Sequence, residues 1–309
     1  MTLVELQDLY YYTLLVRRVE ETVAKLNAID MFKCAVHLCI GQEAASVGIC
    51  RAVGPSSPVF STHRNHGVYI AKGGSLVAFF AELLGRASGC SRGRGGSMHV
   101  AQVQVGILGT TSIVGGGIPI ATGASLALIG SGRCSVALFG DGASEEGVLY
   151  ESMNFAKLKS LPVLFARENN RLSVDTPIES RESSPNIMKG LADAFNLPYY
   201  ETNGVGSVVE VYEKTREAIA LLVSGKGPVV MEIPVTRWYE HAGSNKSYSN
   251  GSVLPEDLCP LLELTRNSQL SEGYKRYVEE RVVKDIDVAY TEALSMPETN
   301  PAELLDYVY

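Results

Sequence analysis

The residues best suited to chemistry lie between positions 140 and 170. Gly140-Asp141-Gly142 is followed, after residues 143–168, by Asn169-Asn170. A carboxylate, an amide oxygen and nearby backbone carbonyls are hard oxygen donors. They suit an octahedral Mg2+ that already carries phosphate oxygens. The two glycines would let the backbone approach a diphosphate closely. The flanking residues show how these donors could be brought together. Ser135-Val136-Ala137-Leu138-Phe139 and Leu161-Pro162-Val163-Leu164-Phe165-Ala166 are apolar runs of strand length, and 145–159 has helical periodicity. Strand, tight turn, helix and strand in that order form one parallel unit. Both strand ends then fall on the same edge of an open sheet, where ligands bind. The competing reading is an ordinary strand-turn-helix with an incidental Asn pair.

Other residue types extend the pattern. The five histidines, His37, His63, His66, His99 and His241, all stand beside glycines, loops or strand ends. Imidazole there is useful because it titrates near neutral pH. Arg64, in Ser61-Thr62-His63-Arg64-Asn65-His66-Gly67, could fork onto phosphate oxygens, the alternative being a surface ion pair. A Gly-rich loop over 85–98 contains Arg86, Arg92 and Arg94 and leads into His99. A second glycine-dense segment, Ile113-Val114-Gly115-Gly116-Gly117-Ile118-Pro119, precedes a small-residue helix over 121–128.

The elements that must position these groups alternate along the chain. Helices are expected over 4–27, 41–53, 73–84, 186–195 and 209–223, and strands over 58–61, 198–201 and 229–233. This alternation indicates an α/β fold, a doubly wound and mostly parallel sheet with helices on both faces. The expected division is an α/β domain over 1–252 and a C-terminal helical arm over 253–309 packed on it, with a polar, mobile loop over 244–252. The chain has 309 residues, is 46% hydrophobic and carries a formal charge of −7. That is enough for one large core, and the charge argues against nucleic-acid binding as the main task. No apolar run reaches bilayer length, and Met1-Thr2-Leu3-Val4-Glu5 lacks a basic leader. Six cysteines without a CxxC spacing fit reduced thiols, so a cytoplasmic protein with no membrane association is expected.

The Gly-Asp-Gly and Asn-Asn spacing matches the thiamine diphosphate signature. Over roughly residues 5–245 the chain resembles the α subunit of the decarboxylase component of 2-oxoacid dehydrogenase complexes, such as the pyruvate, branched-chain and acetoin systems. The resemblance implies a thiamine-diphosphate-binding fold. It implies that Asp141, the Asn170 side chain and the Leu172 carbonyl hold Mg2+, although many relatives have Tyr at the last position. Gly140, Asp141, Gly142, Ala143 and Asn170 become cofactor-binding candidates. His63, in place of the usual Tyr, and Arg64 would meet the diphosphate. Ser112 and Val114 would grip the aminopyrimidine ring through their backbone. His241, four residues after Arg237, would reach the diphosphate and the reaction channel. His241, His99 and His66 are the candidate catalytic residues. Gln42-Glu43 also matches and reads as structural or interfacial. Ala242-Gly243 replaces the segment that often carries a regulatory serine, so no kinase control is expected there, and the change bears on lipoyl-domain docking.

The implied activity is that of an oxidoreductase: decarboxylation of pyruvate or a similar 2-oxo acid, with the acyl group passed to lipoamide on an acyltransferase partner. In the family the carboxylate needed at the pyrimidine N1′ is a glutamate of a separate β chain. An α2β2 heterotetramer is therefore expected, with the isolated chain inactive. Two alternatives stand beside this. One is a two-chain thiamine diphosphate carboligase that transfers an acetaldehyde unit to a ketone or sugar, motivated by the altered loop after His241. The other is a non-catalytic assembly subunit, against which the presence of Asp141, Asn170, Arg64 and His241 argues.

Overall fold

A computed structural model describes residues 1–202, 206–247, 259–303 and 305–306. The chain opens with α1 (Leu3–Asn27), which begins with a reciprocal cap: the Thr2 hydroxyl accepts the Glu5 N–H, and the Glu5 carboxylate accepts the Thr2 N–H. Leu6, Leu9, Leu14, Val16, Val19 and Val23 bury its apolar stripe against α2 (Glu43–Val53) and α3 (His66–Ala71).

The strands are β1 (Val59–Ser61), β2 (Ile107–Thr110), β3 (Ser135–Gly140), β4 (Val163–Asn169), β5 (Leu172–Ser173), β6 (Thr176–Pro177), β7 (Tyr199–Glu201) and β8 (Val229–Pro234). Six of them form one parallel sheet in the order β2-β1-β3-β4-β8-β7, while β5 and β6 make a small antiparallel hairpin. Successive side chains leave a strand on opposite faces. Val136, Leu138, Leu164, Ala166 and Met231 therefore join a core with α1, α2, α4 (Leu76–Leu83) and α8 (Val208–Val223). Ala137, Phe139, Val163, Phe165 and Val230 join a second core with α5 (Gly117–Leu126), α6 (Gly147–Leu158) and α7 (Ile187–Ala194). Burial on both faces is why these strands read as unbroken apolar runs rather than alternating ones.

Beyond the sheet lie α9 (Pro260–Thr265) and α10 (Glu272–Ser295). α10 lays Val278, Val282, Ile286, Ala289 and Ala293 on α4 and α1. The boundary expected at 252/253, and the polar run from residue 248 onward, fall outside the described residues. Among the described residues no helix is long and apolar enough to cross a membrane.

The Gly-rich loop over 85–98 is organised from within. Glu82 is 1% exposed. One of its oxygens accepts the N–H groups of Ser91 and Gly93, and the other those of Gly95 and Gly96, at 2.7–3.0 Å. A cluster of backbone N–H groups that could have held an external anion is filled by the chain's own carboxylate.

Candidate functional site

The parallel register between β3 and β4 sets the site. It pairs Gly140 with Glu168. Asp141 then leaves the end of β3 into a 3-10 turn (Asp141–Glu145), and Asn170 leaves the end of β4. The two donors anticipated from spacing therefore share one sheet edge. They line a cavity of about 230 Å3, together with Leu172, Ser112, Val114, His63, Arg64 and His241. Gly140, Gly142 and Ala143 also face it.

The two glycines of the turn differ. A Cβ on Gly142 would lie 2.5 Å from Ser173 Oγ, so packing within the chain excludes it. A Cβ on Gly140 would meet no protein atom within 4 Å, so the space beside it belongs to the cavity. The two asparagines differ as well. Asn169 donates to Glu232 at 2.7 Å and accepts the Arg171 N–H at 3.0 Å, which makes it a brace between β4 and β8. Asn170 accepts the Leu172 N–H at 2.9 Å and donates to Gln42 at 3.3 Å, which fixes its amide at the cavity wall.

Arg64 is buried, and backbone carbonyls rather than a carboxylate hold its guanidinium. One arm donates to Leu38 O and another to His241 O at 2.9 Å. Burial, followed by the repulsion of Arg237, lowers its pKa to about 10, which leaves it charged at neutral pH. The surface ion pair considered for it is not what the fold builds. Beside it stand three imidazoles. Ring centroids are 4.7 Å apart for His37 and His63, 5.1 Å for His37 and His241, and 5.3 Å for His63 and His241. Burial is the largest cause of depression in each. It brings His37 to about 3, with His63 and Arg64 adding to the effect, and His63 to about 4, with Arg64 adding. His241 is lowered by burial and by Arg64. All three are neutral at pH 7, and each offers one donor and one acceptor. The buried His37 Nδ1 has no hydrogen-bond partner among the described residues.

The ring nitrogens lie within 4.8 Å of one another, a spacing that could also attract a metal ion. Arg64 and Arg237 beside them set a positive potential, and that favours an anion. Fixed N–H donors, a carbonyl-held guanidinium and the free space at Gly140 suit a diphosphate. The oxygens of Asp141, Asn170 and Leu172 suit the hard cation that would accompany it.

Two sequence candidates stand outside the cavity lining. His99 Nδ1 contacts Thr110 O at 3.3 Å. His66 is fully buried, with Nδ1 on Glu20 at 2.6 Å and Nε2 on the Ser97 hydroxyl at 2.8 Å. Ser97, His66 and Glu20 are connected like a nucleophile, base and acid. With 0% exposure throughout, the relay ties α1, α3 and the Gly-rich loop together.

Other groups at the site are not among the residues assigned to it from sequence. His37, Gln42, Glu168 and Arg237 line the cavity. Gln42 thus separates in role from Glu43, which is buried against Arg17 at 2.6 Å. Glu168 is a buried carboxyl whose pKa burial raises to about 7, against the opposing effects of Arg64 and a hydrogen bond from Gln42.

The chain has relatives among known proteins. The family model described as the dehydrogenase E1 component matches residues 11–302. The α subunit of acetoin:2,6-dichlorophenolindophenol oxidoreductase from Bacillus subtilis is 34% identical over 97% of this chain and 92% of its own length. The pyruvate dehydrogenase E1 component α subunit from Zymomonas mobilis is 36% identical over 78% of this chain and 68% of its own. Among solved structures, a transketolase mutant from Pichia stipitis aligns with a TM-score of 0.55 at 15% identity. The alignment covers 94% of this chain and 46% of that one, a likeness of fold alone.

Proposed function

The chain belongs to the dehydrogenase E1 component family, and on that premise we propose that it is the α subunit of a thiamine-diphosphate-dependent 2-oxo acid dehydrogenase acting on pyruvate or a similar small 2-oxo acid. The observation that carries the reading is the convergence of Asp141 and Asn170 with Arg64 and three neutral imidazoles on one sheet edge.

In this reading Asp141, the Asn170 side chain and the Leu172 carbonyl hold Mg2+. Arg64, His63 and His241 hold the diphosphate, and the backbone at Ser112 and Val114 orients the aminopyrimidine ring. Bound thiamine diphosphate supplies the electron sink for decarboxylation. Arg64 contributes fixed positive charge in a buried setting, where no solvent need reorganise. His241 is neutral, so it can donate its ring N–H or accept a proton on the other ring nitrogen near pH 7. His37 supports it from 5.1 Å away. The catalytic proposal therefore centres on His241; His66 has both ring nitrogens engaged elsewhere.

At the cavity, Ile113 is 72% exposed and Val114 is exposed with it, and α5, which follows them in the chain, also exposes Ile120 and Leu126. Such a strip suits a protein partner. We assign it to the β subunit, which would supply the N1′ glutamate in an α2β2 assembly and exclude water. Acyl transfer to lipoamide would follow at that shared site. The relatives give no support to a carboligase or a non-catalytic subunit. An α-hydroxyketone such as acetoin is the second substrate class, favoured by the Bacillus subtilis relative.

The test uses the chain co-purified with its β partner, thiamine diphosphate and Mg2+. CO2 release from pyruvate and an acylated lipoyl domain are the expected results. Acetoin-dependent dye reduction without CO2 release would move the assignment to the second substrate class. Neither activity, in an assembly that binds the cofactor, would sink the reading.

A further inference from the structure

Asp141 is not waiting bare for a metal. Its Oδ2 is paired with the guanidinium of Arg181, and a second arm of the same guanidinium pairs with Glu145. Arg181 Nε donates to Thr176 O at 3.1 Å, which anchors the side chain to β6. Both acids lie in the one 3-10 turn, while Arg181 follows the hairpin whose first strand carries Leu172. The guanidinium therefore bridges the two walls that present the proposed metal donors.

We propose that Arg181 is a resident counter-cation that a divalent metal ion must displace, so that metal loading is a cation exchange on Asp141. The inference rests on the reading of Asp141 as a metal ligand. Its physical basis is the burial of that carboxylate, whose side chain is 2% exposed. A buried carboxylate without a partner is strongly destabilising, so the metal-free chain requires a substitute charge. A guanidinium and a divalent ion on one carboxylate repel each other at contact distance, and in a poorly solvated site that repulsion favours release of the guanidinium when the doubly charged ion binds. Glu145 gives the displaced side chain somewhere to stay. It is 31% exposed at the rim, so Arg181 keeps one ion pair and needs only to release the inner one. Exchange then requires the Arg181 side chain to swing off Asp141, and its anchor on Thr176 O couples metal arrival to the hairpin that carries Leu172. The competition lowers the apparent metal affinity by the fraction of time that the inner carboxylate is free.

The test is Mn2+ titration of the full-length chain without thiamine diphosphate, by calorimetry and by electron paramagnetic resonance, on the wild type and on Arg181→Gln, Arg181→Lys and Asp141→Asn. If Arg181 covers Asp141 nine times in ten, Arg181→Gln binds Mn2+ about tenfold tighter. Arg181→Lys falls between the two, because an ammonium cannot fork across both acids; it carries the comparison if the Gln variant does not fold. Asp141→Asn loses the binding. Unchanged or weaker Mn2+ binding in both Arg181 variants, with binding still lost in Asp141→Asn, would overturn the exchange and leave the metal assignment standing. Wild-type affinity in Asp141→Asn would remove the metal assignment, and the exchange with it.

Discussion

Gly140 at the end of β3 stands opposite Glu168 on β4. Neighbouring parallel strands are ~4.8 Å apart, so the residues just past this pair, Asp141 and Asn170, have their positions set by sheet register rather than by loop conformation. Glu168 also brings a protonatable group to the same wall.

Asp141 is the residue on which the proposed metal site depends most. Asp141→Ala removes a carboxylate and leaves Arg181 with Glu145 alone. In the assembly with β, Mg2+-dependent binding of thiamine diphosphate should fall by on the order of 100-fold or more, since even outer-shell changes at metal sites cost 10–100-fold. Calorimetry on the variant decides it; an unchanged affinity would remove Asp141 from the ligand set.

The two glycines of the turn should separate stability from binding. Gly142→Ala places a methyl 2.5 Å from Ser173 Oγ, and overpacking of this kind costs about 1–3 kcal/mol. Thermal melting should show the loss, and Ser173→Gly should recover part of it. Gly140→Ala meets no protein atom within 4 Å and has an extended φ of −83° that alanine adopts freely. Its melting temperature should match the wild type while cofactor affinity drops, because the methyl enters the cavity. Equal affinity in Gly140→Ala would mean that the cofactor lies elsewhere.

Glu82 should be a stability residue despite its place beside a basic, Gly-rich loop. Four backbone N–H groups converge on its two oxygens. Glu82→Gln turns one acceptor into a donor facing two of them. Unsatisfied buried groups cost about 1–3 kcal/mol each, so a loss of about 3 kcal/mol is expected, with faster amide exchange over 89–99. Exchange unchanged in that segment would contradict the assignment.

Glu82 also shows where sequence reasoning reaches and where it stops. The strand-turn-helix-strand unit is legible because β3 and β4 are buried on both faces and so are apolar throughout. α10 falls inside the helical arm expected over 253–309. Asp141, Asn170 and Arg64 are found because their neighbours in sequence are also their neighbours at the site. His37, Gln42 and Arg181 reach it through contacts distant in sequence, such as that of Gln42 with Asn170. β2 is missed because it is four residues long, with an exposed Leu108 and a glycine. One signal was available for Glu82: a single acid inside the apolar helix Leu76-Val77-Ala78-Phe79-Phe80-Ala81-Glu82-Leu83 must find donors internally.

Glu168 provides a pH test of the buried wall. Its folded pKa is raised from 4.5 to about 7, chiefly by burial. A raised carboxyl pKa means that the folded state binds the proton more tightly than the unfolded chain. The associated stability is fully present below pH 4.5 and is lost as pH rises through 7. Each tenfold gain in proton affinity is worth about 1.4 kcal/mol, so the loss by pH 8 is on the order of 3 kcal/mol. Glu168→Gln keeps the shape and the partner Gln42 while removing the proton. Urea unfolding of the cofactor-free variant should be flatter than the wild type between pH 4.5 and 7, and the variant should be the more stable of the two at pH 8. The lowered pKa values of His37 and His63 act in the opposite sense. They weaken the folded state as pH falls below 6.5, in both proteins alike. The difference between the two curves therefore isolates Glu168, and parallel curves would show that its carboxyl titrates in the ordinary range.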